Sequence, residues 1–144
     1  MVSKLFISFI LVSLCVIAHA SVITKSVRSI DRSNELADPR FWVPTWCLIR
    51  IAGLLILLHI FEMSLWAAFY LIGQAIPDAA AALYFSSVTY TTVGYGDLVL
   101  PQKWRLVGGV EALTGILMCG WSTGFFFTVV TRMQQTRKND ISGN

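Results

Sequence analysis

Thr91-Thr92-Val93-Gly94-Tyr95-Gly96-Asp97 decides the reading of this chain, because it can aim a row of backbone carbonyls at one axis. A dehydrated cation needs several oxygens at once. In an ordinary strand successive groups alternate between sides, so a one-sided row requires backbone dihedrals that alternate in hand, and glycine adopts the left-handed ones at least cost. Gly94 and Gly96 stand two apart, as that device requires. The carbonyls of Thr92, Val93, Gly94 and Tyr95 would then face the axis, with the Thr92 hydroxyl adding an innermost oxygen. The side chains of Val93 and Tyr95 would point outward and need a wall, to which Tyr84 and Phe85 are assigned. Asp97 adds a negative group at the outer mouth.

The surroundings suit that device. Of the 144 residues, 56% are hydrophobic and only 13% charged, which is too apolar for a water-soluble domain and too short for two. Three apolar segments, 5–23, 51–72 and 104–130, approach or exceed the roughly 20 residues that span hydrocarbon. The net charge of +3 comes from basic residues scattered beside these segments, so it signals topology and gives no support to a nucleic-acid partner. Cys15, Cys47 and Cys119 are odd in number and unpaired in spacing, which indicates neither a disulfide framework nor a zinc site.

Residues 1–24 admit three readings: a retained transmembrane helix, a removed signal peptide and an interfacial helix. Lys4, the apolar run 5–18 and Ala18-His19-Ala20 resemble a signal peptide with an A-x-A cleavage site. A filter open to the outside, however, needs the second span to run outward, which puts residues 24–50 inside. That stretch carries Lys25, Arg28, Arg32, Arg40 and Arg50 against only Lys4 ahead of the first segment, so the positive-inside bias favours a retained transmembrane helix with an outside N-terminus. Residues 25–47, interrupted by Pro39 and Pro44, read as a cytoplasmic linker whose Trp42 and Trp46 anchor at headgroup level. Residues 48–131 form the pore domain and 132–144 a polar cytoplasmic tail. Within the pore domain the span 51–72 would be about 33 Å long, and Pro77-Asp78 opens a short Ala-rich helix that re-enters the membrane and leads into the filter. Asp78 complements the positive N-terminal end of that helix's dipole, and the negative C-terminal end favours a cation. The last span, about 40 Å as a helix, calls for tilt or a bend, with Gly115 as hinge or packing residue and Gly120 to Gly124 as a GxxxG face.

Thr92 to Gly96 spells TVGYG and so resembles the filter of potassium channels. Residues 48–131 resemble the two-transmembrane-helix potassium channels of bacteria: outer helix, pore helix, filter, inner helix. The flanks agree, with Ala82-Leu83-Tyr84-Phe85-Ser86 before the filter and Trp104-Arg105-Leu106 and Gly115-Ile116 after it. The resemblance implies an all-α integral membrane protein in four-fold assembly, conducting potassium passively through a filter that holds the ions, without catalysis or organic cofactor. It also implies a homotetramer in the lipid bilayer of the plasma (inner) membrane, multi-pass, with the filter mouth extracytoplasmic and the C-terminus cytoplasmic. Val88 stands where some relatives place a buried glutamate, and no arginine ladder resembles a voltage sensor. The alternative function is a non-conducting accessory subunit that keeps the pore fold. A potassium transporter would be expected to carry four filter repeats, and this chain has one.

Three ionisable residues need their own account. His59 and Glu62 lie three apart on one face of the second span, and Glu111 sits at a similar depth in the last, where charges turn inward toward partners. They are expected to meet as one cluster, with Thr114, Ser87 or Thr89 as further partners, serving structure or sensing protons. Along the inner helix Ile116, Cys119, Thr123 and Phe127 recur at three- and four-residue spacing as the pore-lining face, with Phe127 as gate. At least two of Phe125, Phe126 and Phe127 are expected to pack instead.

Overall fold

The computed structural model describes residues 2–33, 35–38 and 40–142. The chain runs as four helices, α1 (Val2–Ser33), α2 (Trp42–Ile72), α3 (Ala79–Tyr90) and α4 (Arg105–Ser142), with single 3-10 turns at Glu35–Ala37 and Gln102–Trp104. No strand occurs among the described residues. α1, α2 and α4 are each long and apolar enough to cross a membrane, which makes this a multi-pass membrane protein.

The helices overrun the boundaries expected from hydropathy. The linker assigned to 25–47 is mostly helical, since α1 continues to Ser33 and α2 begins at Trp42. Nothing between 24 and 33 breaks a helix, and Ile30 is buried with Ile51, Leu55, Phe125 and Val129, which holds that end of α1 against α2 and α4. Pro44 lies in the first turn of α2, where a missing N–H costs no hydrogen bond. Pro39 lies outside the described residues. α4 likewise continues beyond the expected end of the inner helix at 130, and it passes through Gly115 without interruption.

Contacts at the two ends fix the directions of the helices. The ammonium of Lys4 lies 3.8 Å over the Trp104 ring, and at the opposite end Arg132 pairs with Asp31 at 2.5 Å. α1 and α4 therefore run parallel. α2 runs against them, its early residue Arg50 pairing with Glu35 at 3.0 Å. α3 sits between α2 and α4 at the Lys4 end, where Trp66, Tyr70, Phe85, Tyr90 and Trp104 form an aromatic core. The Tyr70 and Phe85 rings meet edge to face at 5.3 Å.

On α4 the buried residues Val107, Glu111, Thr114, Met118, Ser122, Phe125 and Val129 recur every three or four positions. They define the stripe turned toward the rest of the subunit. The other side of α4, with Leu113, Ile116, Leu117 and Phe127, is uncovered in a single chain.

Candidate functional site

α3 begins with Asp78 as its N-cap, the carboxylate accepting from the Ala81 amide at 2.7 Å. At its other end the helix supplies acceptors for the loop that follows. The amides of Thr91, Thr92 and Gly94 donate to the carbonyls of Ser87, Thr89 and Val88 at 3.2, 3.0 and 3.0 Å. These bonds commit the N–H side of the loop to the pore helix and leave its carbonyls free for another partner. Thr92, Gly94 and Gly96 have φ of +61°, +52° and +78°, so every second residue is left-handed. That is the alternation a one-sided carbonyl row demands. Sequence reasoning placed it at the two glycines and missed Thr92, a β-branched residue for which positive φ is strained. A Cβ on Gly94 or Gly96 would meet nothing within 4 Å in the chain, so their requirement is conformational, not spatial.

The loop is braced at its outer end. Tyr84 donates to Asp97 at 2.6 Å, and the Leu98 amide donates to the same carboxylate at 3.0 Å. The Tyr84 hydrogen bond, with help from the backbone, holds the Asp97 carboxyl below the usual carboxylate range. Tyr84 and Phe85 therefore do not stand together as a wall. Tyr84 ties down the mouth, while Phe85 turns the other way into the core against Tyr70. Val93 and Tyr95 remain 52% and 72% exposed, so the described residues of the same chain leave more than half of each uncovered.

Behind the loop the three ionisable residues expected to cluster are divided between two networks. Glu111, fully buried, accepts from Tyr70 at 2.6 Å and meets Ser86 at 2.5 Å. Ser86 is also 2.7 Å from the Met63 carbonyl. One hydroxyl proton cannot serve both acceptors fully, so the set is complete when Glu111 is the neutral acid, donating to Ser86 while Ser86 donates to Met63.

Glu62, also fully buried, takes the Tyr90 hydroxyl and both histidines instead. His19 Nδ1 lies 3.0 Å from Oε1, and His59 Nδ1 lies 3.4 Å from Oε2. Ser122 Oγ is 3.0 Å from Nε2 of each imidazole. The expected partners Thr114 and Ser87 return to carbonyls of their own helices, Val110 and Tyr84.

Sequence reasoning assigns His19 no role and meets it only within Ala18-His19-Ala20, part of the less favoured signal-peptide reading. A signal was present: Ser8, Cys15, His19 and Ser26 recur at spacings of seven, four and seven, one polar face on an apolar helix, and all four are buried.

Ile116, Thr123 and Phe127 are exposed in one chain and Cys119 half-buried, on the side away from the packed stripe. Phe125 is buried and Phe126 half-buried, which leaves Phe127, at 70% exposure, as the free ring of the three. Gly115 packs directly on the backbone of Tyr90, where a Cβ would overlap the carbonyl, giving it a reason to be glycine that is independent of bending. Cβ atoms on Gly120 and Gly124 would meet nothing within 4 Å.

Two membrane-crossing helices bracketing a short pore helix, whose C-terminus opens into a loop of alternating hand, define the subunit of a pore-loop channel. The chain belongs to the ion channel family, whose sequence profile matches residues 45–132, more than half its length. The match runs from the first turns of α2 into α4 and leaves α1 outside it. No curated protein and no solved structure is significantly similar to the chain.

Proposed function

We propose that this chain is the subunit of a potassium-selective channel in which four copies surround one filter. The observation that carries the reading is the left-handed backbone at Thr92, Gly94 and Gly96 within TVGYG. Potassium is the cargo: the carbonyls of Thr92, Val93, Gly94 and Tyr95 replace its hydration shell, and it passes between successive rings of oxygen. One chain offers a single strand of such oxygens, and four offer a closed ring at each level. The exposed Val93, Tyr95 and outer face of α4 are apolar surface for neighbouring copies to cover. Ile116, Cys119, Thr123 and Phe127 then line the route below the filter, with Phe127 at its narrowing.

Orientation follows from charge. Lys25, Arg28, Arg32, Arg40, Arg50 and Arg132 lie toward the end of the helices opposite the filter, and Lys4, Lys103 and Arg105 at the filter end. The positive-inside bias places the former in the cytoplasm and the filter mouth outside, in the plasma (inner) membrane.

Purified protein in liposomes, under an outward potassium gradient, tests the reading. The expected result is potassium flux, strongly preferred over sodium and blocked by barium. Equal passage of both ions overturns selectivity, and a tetramer without flux makes the chain an accessory subunit.

A further inference from the structure

We propose that His19, His59 and Glu62 form a binding site for a zinc-class divalent metal ion, which fastens α1 to the pore unit. The site is distinct from the potassium path in chemistry and in place. Two imidazole nitrogens and a carboxylate oxygen are the donors of zinc and its transition-metal neighbours, whereas potassium, magnesium and calcium take oxygen.

One ligand atom from each of the three residues lies within 4.8 Å of the other two. Metal–ligand bonds of about 2.0 to 2.2 Å in a tetrahedral site separate neighbouring ligand atoms by about 3.3 to 3.6 Å. His19 Nδ1 lies 3.0 Å from Oε1 of Glu62 and His59 Nδ1 3.4 Å from its Oε2, so the rings approach the two oxygens of one carboxylate and a shared ion would draw the donors together. The Tyr90 hydroxyl lies 3.4 Å from His59 Nδ1, a further oxygen beside the three donors.

The hydrogen bonds around the donors also fit. A metal-bound histidine donates its second ring N–H to an oxygen, which fixes the ring and strengthens the ligand. Here both Nε2 atoms face one acceptor, Ser122 Oγ, at 3.0 Å each, while both Nδ1 atoms turn to Glu62. Ser122 has two lone pairs and can accept from both rings.

Without a metal, with neutral imidazoles and an ionised Glu62, that count fails. Ser122 can donate to only one ring, so the other keeps its proton on Nε2 and turns a bare Nδ1 lone pair inward. If that ring is His59, the lone pair faces a carboxylate and a tyrosine whose one proton already goes to Glu62. A buried lone pair opposed to a carboxylate is a place for a Lewis acid. The negative C-terminal end of α3, at Tyr90, offsets part of the added positive charge.

The consequence concerns the filter. Tyr90 touches Glu62 by its side chain and Gly115 by its carbonyl, one residue before the filter sequence begins. A metal here ties α1, which the family match does not include, to the base of the filter.

The test uses the full chain, tag removed and stripped with a chelator, and needs no flux measurement. Cobalt(II) is titrated as the probe and bound cobalt and zinc are counted after dialysis. The expected result is one ion per chain with the intense visible bands of a four- or five-coordinate site. Ser122→Ala keeps all three ligands and should weaken binding about 10- to 100-fold. His19→Ala should abolish the bands, and His59→Cys should keep them and add a thiolate charge-transfer band. No bound cobalt in the wild-type chain, or the weak spectrum of an octahedral hydrated ion, overturns the proposal and leaves a proton as the occupant. Binding undiminished in folded His19→Ala overturns it as well.

Discussion

Gly115 on the inner helix and Tyr90 at the end of the pore helix are in backbone contact, close enough that a Cβ at 115 would overlap the Tyr90 carbonyl oxygen. Tyr90 is the pivot of the pore unit, since its hydroxyl reaches Glu62 while its main chain leads into the filter. The inner helix can approach it only at a residue without a side chain.

Gly115→Ala is therefore expected to destabilise the protein by about 1 to 3 kcal/mol per subunit, the range for overpacking a tight contact. Gly53→Ala is the control, since it lies in α2 with nothing within 4 Å of a Cβ, and it should be neutral or gain up to about 1 kcal/mol of helix propensity. Thermal unfolding in detergent measures both. A Gly115→Ala protein that melts like wild type but gates differently would assign this glycine to bending alone.

At Gly96 the constraint is of another kind. Its φ of +78° is unfavourable for a residue with a Cβ, although there is room for one. Gly96→Ala should cost about 1 to 2 kcal/mol per subunit in the left-handed conformation. In the four-fold assembly proposed above the strain would repeat in every copy, so potassium flux or its preference over sodium should be lost while helix content by circular dichroism stays unchanged. Wild-type selectivity in this variant would contradict the carbonyl-row reading.

How far the chain could be read in advance depended on whether the determining physics was local. The left-handed backbone at Gly94 and Gly96, the start of α3 at Asp78 and the apolar spans all follow from short stretches of sequence, and the structure has each of them. The division of Glu62 from Glu111 was not legible. Counting residues from the helix ends gives depth but not direction around the axis, and direction sends Glu62 to His19 and Tyr90 and Glu111 to Tyr70 and Ser86. His19 stands on a helix outside the pore domain, and no short stretch of sequence pairs it with Glu62, 43 residues away. The linker was overestimated because polarity was taken for irregularity, whereas residues 24–33 are polar and still helical.

Glu111 offers a test of protonation by substitution. If it serves as the neutral acid between Tyr70 and Ser86, Glu111→Gln keeps an acceptor for Tyr70 and a donor for Ser86 and should stay within about 1 kcal/mol of wild type. Glu111→Leu removes both and leaves buried hydroxyls unsatisfied, at about 1 to 3 kcal/mol for each. Thermal stability of the two variants should separate clearly. Equal loss in both would mean that Glu111 is held there as an anion.

Tyr84 and Phe85 are neighbours in sequence with opposite tasks, and substitution should tell them apart. Phe85 is buried in the core against Tyr70, so Phe85→Ala should cost about 3 to 5 kcal/mol and reduce the yield of assembled protein. Tyr84→Phe removes only a solvent-exposed hydrogen bond to Asp97, whose net worth there is about 1 kcal/mol or less. Its melting temperature should stay near that of wild type. The effect belongs to the mouth: with Asp97 released, the last left-handed residue of the filter, Gly96, loses the anchor beside it, and the preference for potassium over sodium should fall in liposome flux. If Tyr84→Phe lowered thermal stability as much as Phe85→Ala while leaving selectivity intact, Tyr84 would be a core residue and not the brace of the filter.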